Sequence, residues 1–159
     1  MTFDVRPTSA DRVRVRVQRL SHAADLPLPS YASPGAAGLD VRAALGEPIE
    51  IASSGIARIP TGLVVEIPAG FELQIRPRSG IAARHGVTLA NAPATIDSDY
   101  RGEILVALIN HGPSPFTVAR GDRIAQLVLA RVPVVEWDEV NELSETARGA
   151  GGFGHTGVA

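Results

Sequence analysis

Cysteine and lysine are both missing from this 159-residue chain: the Cys count is zero, and all 15 of the Lys+Arg residues are arginine. Without cysteine there is no disulfide, thiol nucleophile, CxxC redox pair or zinc knuckle. Without lysine there is no Schiff-base chemistry and no Walker A phosphate loop. Aromatic residues are scarce, at 4%, so the core has to be built from Val, Ile, Leu and Ala. A formal charge of -2 gives no basic excess. That argues against nucleic acid as a partner, because such binding rests on phosphate neutralisation. The longest strongly apolar stretch, Ile104 to Ile109, is far shorter than the roughly 20 residues that cross a bilayer. With no signal-peptide pattern at the start either, the expectation is a cytoplasmic protein with no membrane partner. HExxH, EF-hand and GxSxG patterns do not occur, and His22, His85, His111 and His155 lack metal-ligand spacing.

What is present is punctuation: 16 Gly and 12 Pro, spread between short apolar stretches in a chain 45% hydrophobic and 20% charged. This reads as one soluble all-β domain of many short strands, a sandwich, barrel or jelly roll. Arg12 to Leu20 alternates Val with Arg and predicts a strand with one apolar and one cationic face. Leu63–Ile67 and Phe71–Ile75 predict a hairpin around Pro68-Ala69-Gly70. Glu103–Asn110 and Arg123–Arg131 read as strands buried on both faces. Ser79 to Gly86 is the one convincing helical fragment, with Ser79 able to cap it and Gly86 able to end it. Asp138 to Ala147 carries a weaker helical signal. From Arg148 onward the chain has too few apolar residues to fold on its own contacts, so it is a frayed tail or an arm that orders on something else.

Several segments carry functional groups. In Arg76-Pro77-Arg78-Ser79-Gly80 a strand delivers two arginines and then a hydroxyl at the start of a helical turn, an arrangement that suits an anion. Taken alone, it reads as an ordinary helix start with solvated arginines. Asn91 and Asp97 flank a Pro-containing bend, so a hairpin would bring an amide that can read a base edge close to a carboxylate that can activate water. Tyr100 offers a flat face nearby; the competing reading is local turn bonding, with Tyr100 as core. Gln126 is polar on an apolar strand face and needs a partner, for which a backbone carbonyl suffices. Asp40, after the bend Ala37-Gly38-Leu39, is a turn aspartate or an outer ligand of magnesium. Arg148 and Phe153 lie in the glycine-rich tail, where they can close over a flat anionic ligand or simply be solvated.

Taken together and in order, these segments resemble the trimeric dUTPase family, deoxyuridine triphosphate nucleotidohydrolases, from about Leu26 to Gly157. Ala37-Gly38-Leu39-Asp40, Arg76 to Ala82, Ala94 to Gly102 with Asn91 upstream, Gly121 to Gln126, and Arg148 to Gly157 are similar to the family's five motifs. The resemblance implies a distorted all-β jelly roll with one short helix over residues 1–147 and a flexible C-terminal arm over 148–159. It implies hydrolysis of dUTP to dUMP and pyrophosphate with Mg²⁺, in a homotrimer whose active sites are shared between chains. Asp97 would be the catalytic base, Asn91 with the Thr95–Ile96 backbone would read uracil, and Tyr100 would pack on the deoxyribose. Arg78, Ser79, Gly80 and Gln126 would grip the phosphates, Arg148 the terminal phosphate, and Phe153 would stack on uracil. Asp40 would hold Mg²⁺ through water, the ion being bound mainly by substrate phosphates.

Two positions depart from the family pattern: His155 stands where a small hydroxyl residue is usual, and Ala94 where Gly is common. A deoxycytidine triphosphate deaminase is the nearest alternative, but those enzymes carry a catalytic glutamate where this chain offers Asp97. A non-catalytic nucleotide-binding jelly roll is the other.

Overall fold

The structure is a computed structural model that describes residues 12–152. Among these residues the regular elements are twelve short strands, one α-helix and a single 3₁₀ turn. In chain order they begin with β1 (Arg16–Arg19), the 3₁₀ turn Ser21–Ala23, β2 (Ser30–Tyr31), β3 (Leu39–Arg42) and β4 (Ile49–Ile51). Then come β5 (Ile56–Pro60), β6 (Leu63–Glu66), β7 (Phe71–Arg76), α1 (Ser79–His85) and β8 (Val87–Leu89). The last four are β9 (Ala94–Ile96), β10 (Leu105–Asn110), β11 (Phe116–Val118) and β12 (Arg123–Arg131).

The all-β expectation holds, and the described strands do not close into a barrel. The largest sheet has the order β2-β3-β12-β7-β9, and smaller sheets are β5-β10-β8, β1-β6 and β11-β4. The pairings are antiparallel. Strand β12 is predicted to the residue. It lies between β3 and β7, paired along both edges, and a bulge between Arg123 and Ala125 lets Ile124 and Ala125 both turn inward. The core is aliphatic, as the aromatic deficit requires: Ile59, Ile104, Val106, Val118 and Ala125 are wholly buried. Each buried branched side chain contributes about 1.5–3 kcal/mol relative to exposure.

Both expected hairpins are corrected by the topology. The turn at Pro68-Ala69-Gly70 forms, with the Phe71 N–H donating to the Pro68 carbonyl at 3.2 Å and Gly70 at φ 82°. Its flanking strands part company, however: β6 pairs with β1, and β7 with β12 and β9. The bend at Asn91 to Pro93 likewise joins β8, in the β10 sheet, to β9, on the edge of the largest sheet. In each case both strands bury their apolar face in one core but from different sheets, so the turn acts as a corner.

Four smaller corrections concern bounds, burial and capping. Only Arg16–Arg19 of the Arg12–Leu20 segment becomes a strand, because only those residues find a partner, in β6. Strand β10 alternates in burial, with Leu105 exposed, instead of being covered on both faces. The helix N-cap is Arg78, not Ser79, and no side chain caps it; Gly86 ends the helix in the left-handed region at φ 70°, as expected. Residues 138–147 form no helix.

The turn before β12 is held by Arg120, which donates to the Asp25 carboxylate and, at 2.8 Å, to the carbonyls of His22 and Leu45. This hydrogen bond draws the Asp25 carboxyl below the usual carboxylate range. A lowered pKa in the folded state stabilises fully at neutral pH, and that contribution is lost as pH falls through the lowered value. Asp25→Asn should therefore lower the thermal midpoint slightly at pH 7, as befits an exposed pair. The gap should close on acidification, which melting curves across pH 2–7 would show.

Candidate functional site

Three neighbouring strands set the site. Asp40 on β3 pairs with Gln126 on β12, which pairs with Arg76 on β7, so these three residues form one row across the sheet. Just beyond β7, Pro77 turns the chain and Arg78 folds back onto that row. Its Nε donates to Asp40 Oδ1 at 3.0 Å and its Nη1 to the Arg123 carbonyl at 3.2 Å. Arg123, brought level by the bulge in β12, donates through Nη1 to Asp40 Oδ2 at 2.9 Å. Both oxygens of one carboxylate, only 19% exposed, thus hold a guanidinium. The bonds of Arg78 leave its Nη2 for an anion.

Around this knot lies an open cleft of about 340 Å³ whose lining includes Asp40, Arg78, Ser79, Gly80, Arg123 and Gln126. Gln126 does find a backbone carbonyl: its Nε2 donates to Pro77 at 3.0 Å. Its Oε1 lies against Gly38, where a Cβ would collide with it. Gly38 and Arg123 are absent from the expected site, though both fall inside segments already suspect. Arg76, the other arginine delivered by β7, is turned to Gln74, donating to its Oε1 at 2.6 and 3.0 Å.

The second group of expected residues lies elsewhere on the same chain. Asn91, Thr95, Asp97 and Tyr100 are exposed and Ile96 half-buried along the β9 edge and the loop after it. Extending the β7–β9 register places Asp97 four residues beyond the Asp40 row. Three strand spacings across and four residues along amount to a separation on the order of 20 Å. One chain therefore does not bring Asp97 to Arg78. Tyr100 folds back, its hydroxyl donating to the Glu103 carbonyl at 3.0 Å and its ring over Gly102, where a Cβ would strike it. Ala94 is buried in β9 opposite Ile75, and Ser54 is the only non-glycine residue with positive φ among those described. Its methyl group is thus accommodated.

Arg148 sits in the exposed stretch 131–150, where its Nε donates to the Gly151 carbonyl at 2.8 Å. It does not line the cleft. Phe153 and His155 lie outside the described residues. No group of three or more His, Asp or Glu among the described residues is placed to hold a metal. Asp40, the cleft's only carboxylate, already accepts Arg78 and Arg123, so it fits Mg²⁺ only through water; that ion keeps its waters and takes phosphate oxygens directly. No described helix is long and apolar enough to cross a membrane.

A sequence profile of the dUTPase family matches residues 24–157. The chain belongs to the dUTPase family. Among solved structures it is similar to the dUTPase of Staphylococcus bacteriophage 80alpha, seen as a point mutant with dUpNHpp. That likeness has a TM-score of 0.81 and 24% identity, and spans 91% of this chain and 99% of that one. It is also similar to a mutant dUTPase of phage phi11 of S. aureus, described with a coordinated structural Mg(II) ion. There the TM-score is 0.73 at 21% identity, over 84% of this chain and 100% of that one. At such identities these two likenesses speak for the fold. In this chain the cleft and the β9 edge are separate surfaces.

Because a methyl group at position 38 would push Gln126 off Pro77, Gly38→Ala should weaken nucleoside triphosphate binding about tenfold while the chain still folds. Calorimetric titration beside a melting curve would check this.

Proposed function

We propose that the protein is a dUTP diphosphatase, hydrolysing dUTP to dUMP and pyrophosphate, with each active site assembled from more than one copy of the chain. The family match carries the reaction. The separation of Asp97 from the arginine cleft supports the shared site: both halves are built, yet a single chain holds them too far apart for one substrate. A second copy facing its β9 edge to the cleft of the first would join them, and a closed ring of three copies satisfies this contact for every chain. The exposed apolar side chains of Val134, Trp137 and Leu143 fit the same reading. They lie just ahead of Arg148 on a segment without a core of its own, as suits a stretch that leads into the arm and packs on a neighbour.

In this reading residues 1–147 form the body and 148–159 the arm, with Arg148 at the terminal phosphate and Phe153 over uracil. Asn91 and the Thr95–Ile96 backbone read the base edge, which a site built for uracil's donors and acceptors denies to cytosine. Arg78, Ser79, Gly80 and Gln126 bind the phosphates. Their donors are fixed before substrate arrives, Arg78 by Asp40 and Gln126 by Pro77, so little reorganisation is needed as charge moves toward the leaving pyrophosphate. Asp97 accepts a proton from the water that attacks the α-phosphorus in line. Asp40 would hold Mg²⁺ through water, with the ion bound mainly by substrate phosphates, and the bound ion would offset phosphate charge.

Asp97→Asn should retain nucleotide binding and lower kcat by roughly two to four orders of magnitude; undiminished turnover would remove Asp97 as base. Mixing tests the shared site. Asp97→Asn and Arg78→Ala chains, each inactive alone, should recover up to about a quarter of wild-type activity after co-refolding, the share of sites that draw both intact halves from different copies. No recovery despite mixed trimers would mean that each chain uses its own two halves.

A further inference from the structure

We propose that Glu103, gripped by Gly62 and His22, is a positioning residue that fixes the Tyr100 ring and so sets the preference for a deoxyribose over a ribose substrate. The inference rests on the reading of Tyr100 as the residue that packs on the sugar. The loop 97–103 leaves β9, an edge strand with a neighbour on one side only. Its placement therefore depends on how its far end is fastened. That end is stapled to the turn after β5. The Ile104 N–H donates to the Leu63 carbonyl at 2.8 Å, and Thr61 Oγ1 donates to the Ile104 carbonyl at 2.7 Å.

The remaining fastening is charged. Glu103 Oε1 accepts from the Gly62 N–H at 2.7 Å and bonds His22 Nε2 at 3.1 Å. Gly62 is at φ 68°, and a Cβ there would collide with Ala23. The turn is thus held in a left-handed conformation that aims its N–H at the carboxylate. Meanwhile the Glu103 carbonyl accepts the Tyr100 hydroxyl, so one residue ties the scaffold through its side chain and the aromatic ring through its backbone. Arg101 stiffens the span between them, its Nη1 donating to the carbonyls of Ser98 and Tyr100 at 2.7 and 2.8 Å. Excluding a single hydroxyl from the sugar demands a ring placed to within a fraction of an ångström, which a loop anchored only at β9 would not supply. The Glu103 side chain is bonded to Gly62 and His22, and its backbone carbonyl to the Tyr100 hydroxyl, so the link from this fastening to the sugar runs through the placement of the Tyr100 ring.

The experiment compares kcat and KM for dUTP and UTP in the wild type, Glu103→Ala, Glu103→Gln and Tyr100→Ala. In Glu103→Ala the ratio of kcat/KM for dUTP to that for UTP should fall about tenfold, with kcat for dUTP changed less than about threefold. Glu103→Gln keeps an oxygen acceptor for Gly62 and should stay within about twofold of wild type. Tyr100→Ala should lose at least as much selectivity as Glu103→Ala. A folded Glu103→Ala with wild-type selectivity, beside a Tyr100→Ala that has lost it, overturns the inference alone. An unchanged ratio in Tyr100→Ala overturns the reading beneath it. Should Glu103→Ala fail to fold, the exposed His22→Ala, which removes one of the two bonds, carries the test: selectivity should fall about threefold, and an unchanged ratio overturns the proposal.

Discussion

The carboxylate of Asp40 is the interaction on which the cleft depends. It sits on β3 at one end of a row that runs across β12 to β7, and it accepts Arg78 on one oxygen and Arg123 on the other. Two guanidinium groups side by side would repel; a shared carboxylate holds them together and leaves the trio one positive charge to the good. Because Asp40 and Arg78 are only about a fifth to a quarter exposed, water screens this arrangement less than it would a surface pair. The donors left over face the cleft in fixed directions, which is what an anion with several oxygens requires.

The far edge of the same sheet follows a parallel logic. In the cleft, Gln126 lies against Gly38, and at the β9 edge the Tyr100 ring lies against Gly102; in both places a Cβ would occupy the space the side chain needs. Each side chain is also tied at its polar end to a backbone carbonyl, Gln126 to Pro77 and Tyr100 to Glu103. A glycine beneath and a carbonyl at the tip hold a flexible group in one rotamer without adding bulk. The entropy of holding it is met during folding and not during binding.

Much of this was legible in the sequence wherever the information was local. Alternation and turn residues located β12 and the helix that ends at Gly86, while the resemblance to dUTPases singled out Asp40, Arg78, Ser79, Gly80 and Gln126, which share the cleft. Pairing was not legible. Alternation tells which face of Leu63–Glu66 or Phe71–Arg76 is buried but not which strand lies beside it, so a corner and a hairpin look alike around Pro68-Ala69-Gly70. Nor does any local pattern report that Asp97 sits across three strands from Asp40, since that distance is set by β7–β9 and β12–β3 registers between residues far apart in the chain. Arg123 was hidden for a related reason: the bulge that turns it toward Asp40 depends on pairing with β3.

Register also explains why the chain's two functional surfaces stay apart. To bring Asp97 next to Arg78 within one copy, β9 would have to slide four residues along β7. A slide of two residues would keep the buried Ala94 on the core side but strip pairings from an edge strand only three residues long; a slide of one would turn Ala94 outward and Thr95 inward. Four would leave β9 opposite Pro77 and the start of α1, with no strand to pair. The same hydrogen bonds that build the sheet therefore hold Asp97 and the cleft apart within one chain. Under the proposed assembly, the distance that looks like a defect in one copy becomes the reason several are needed.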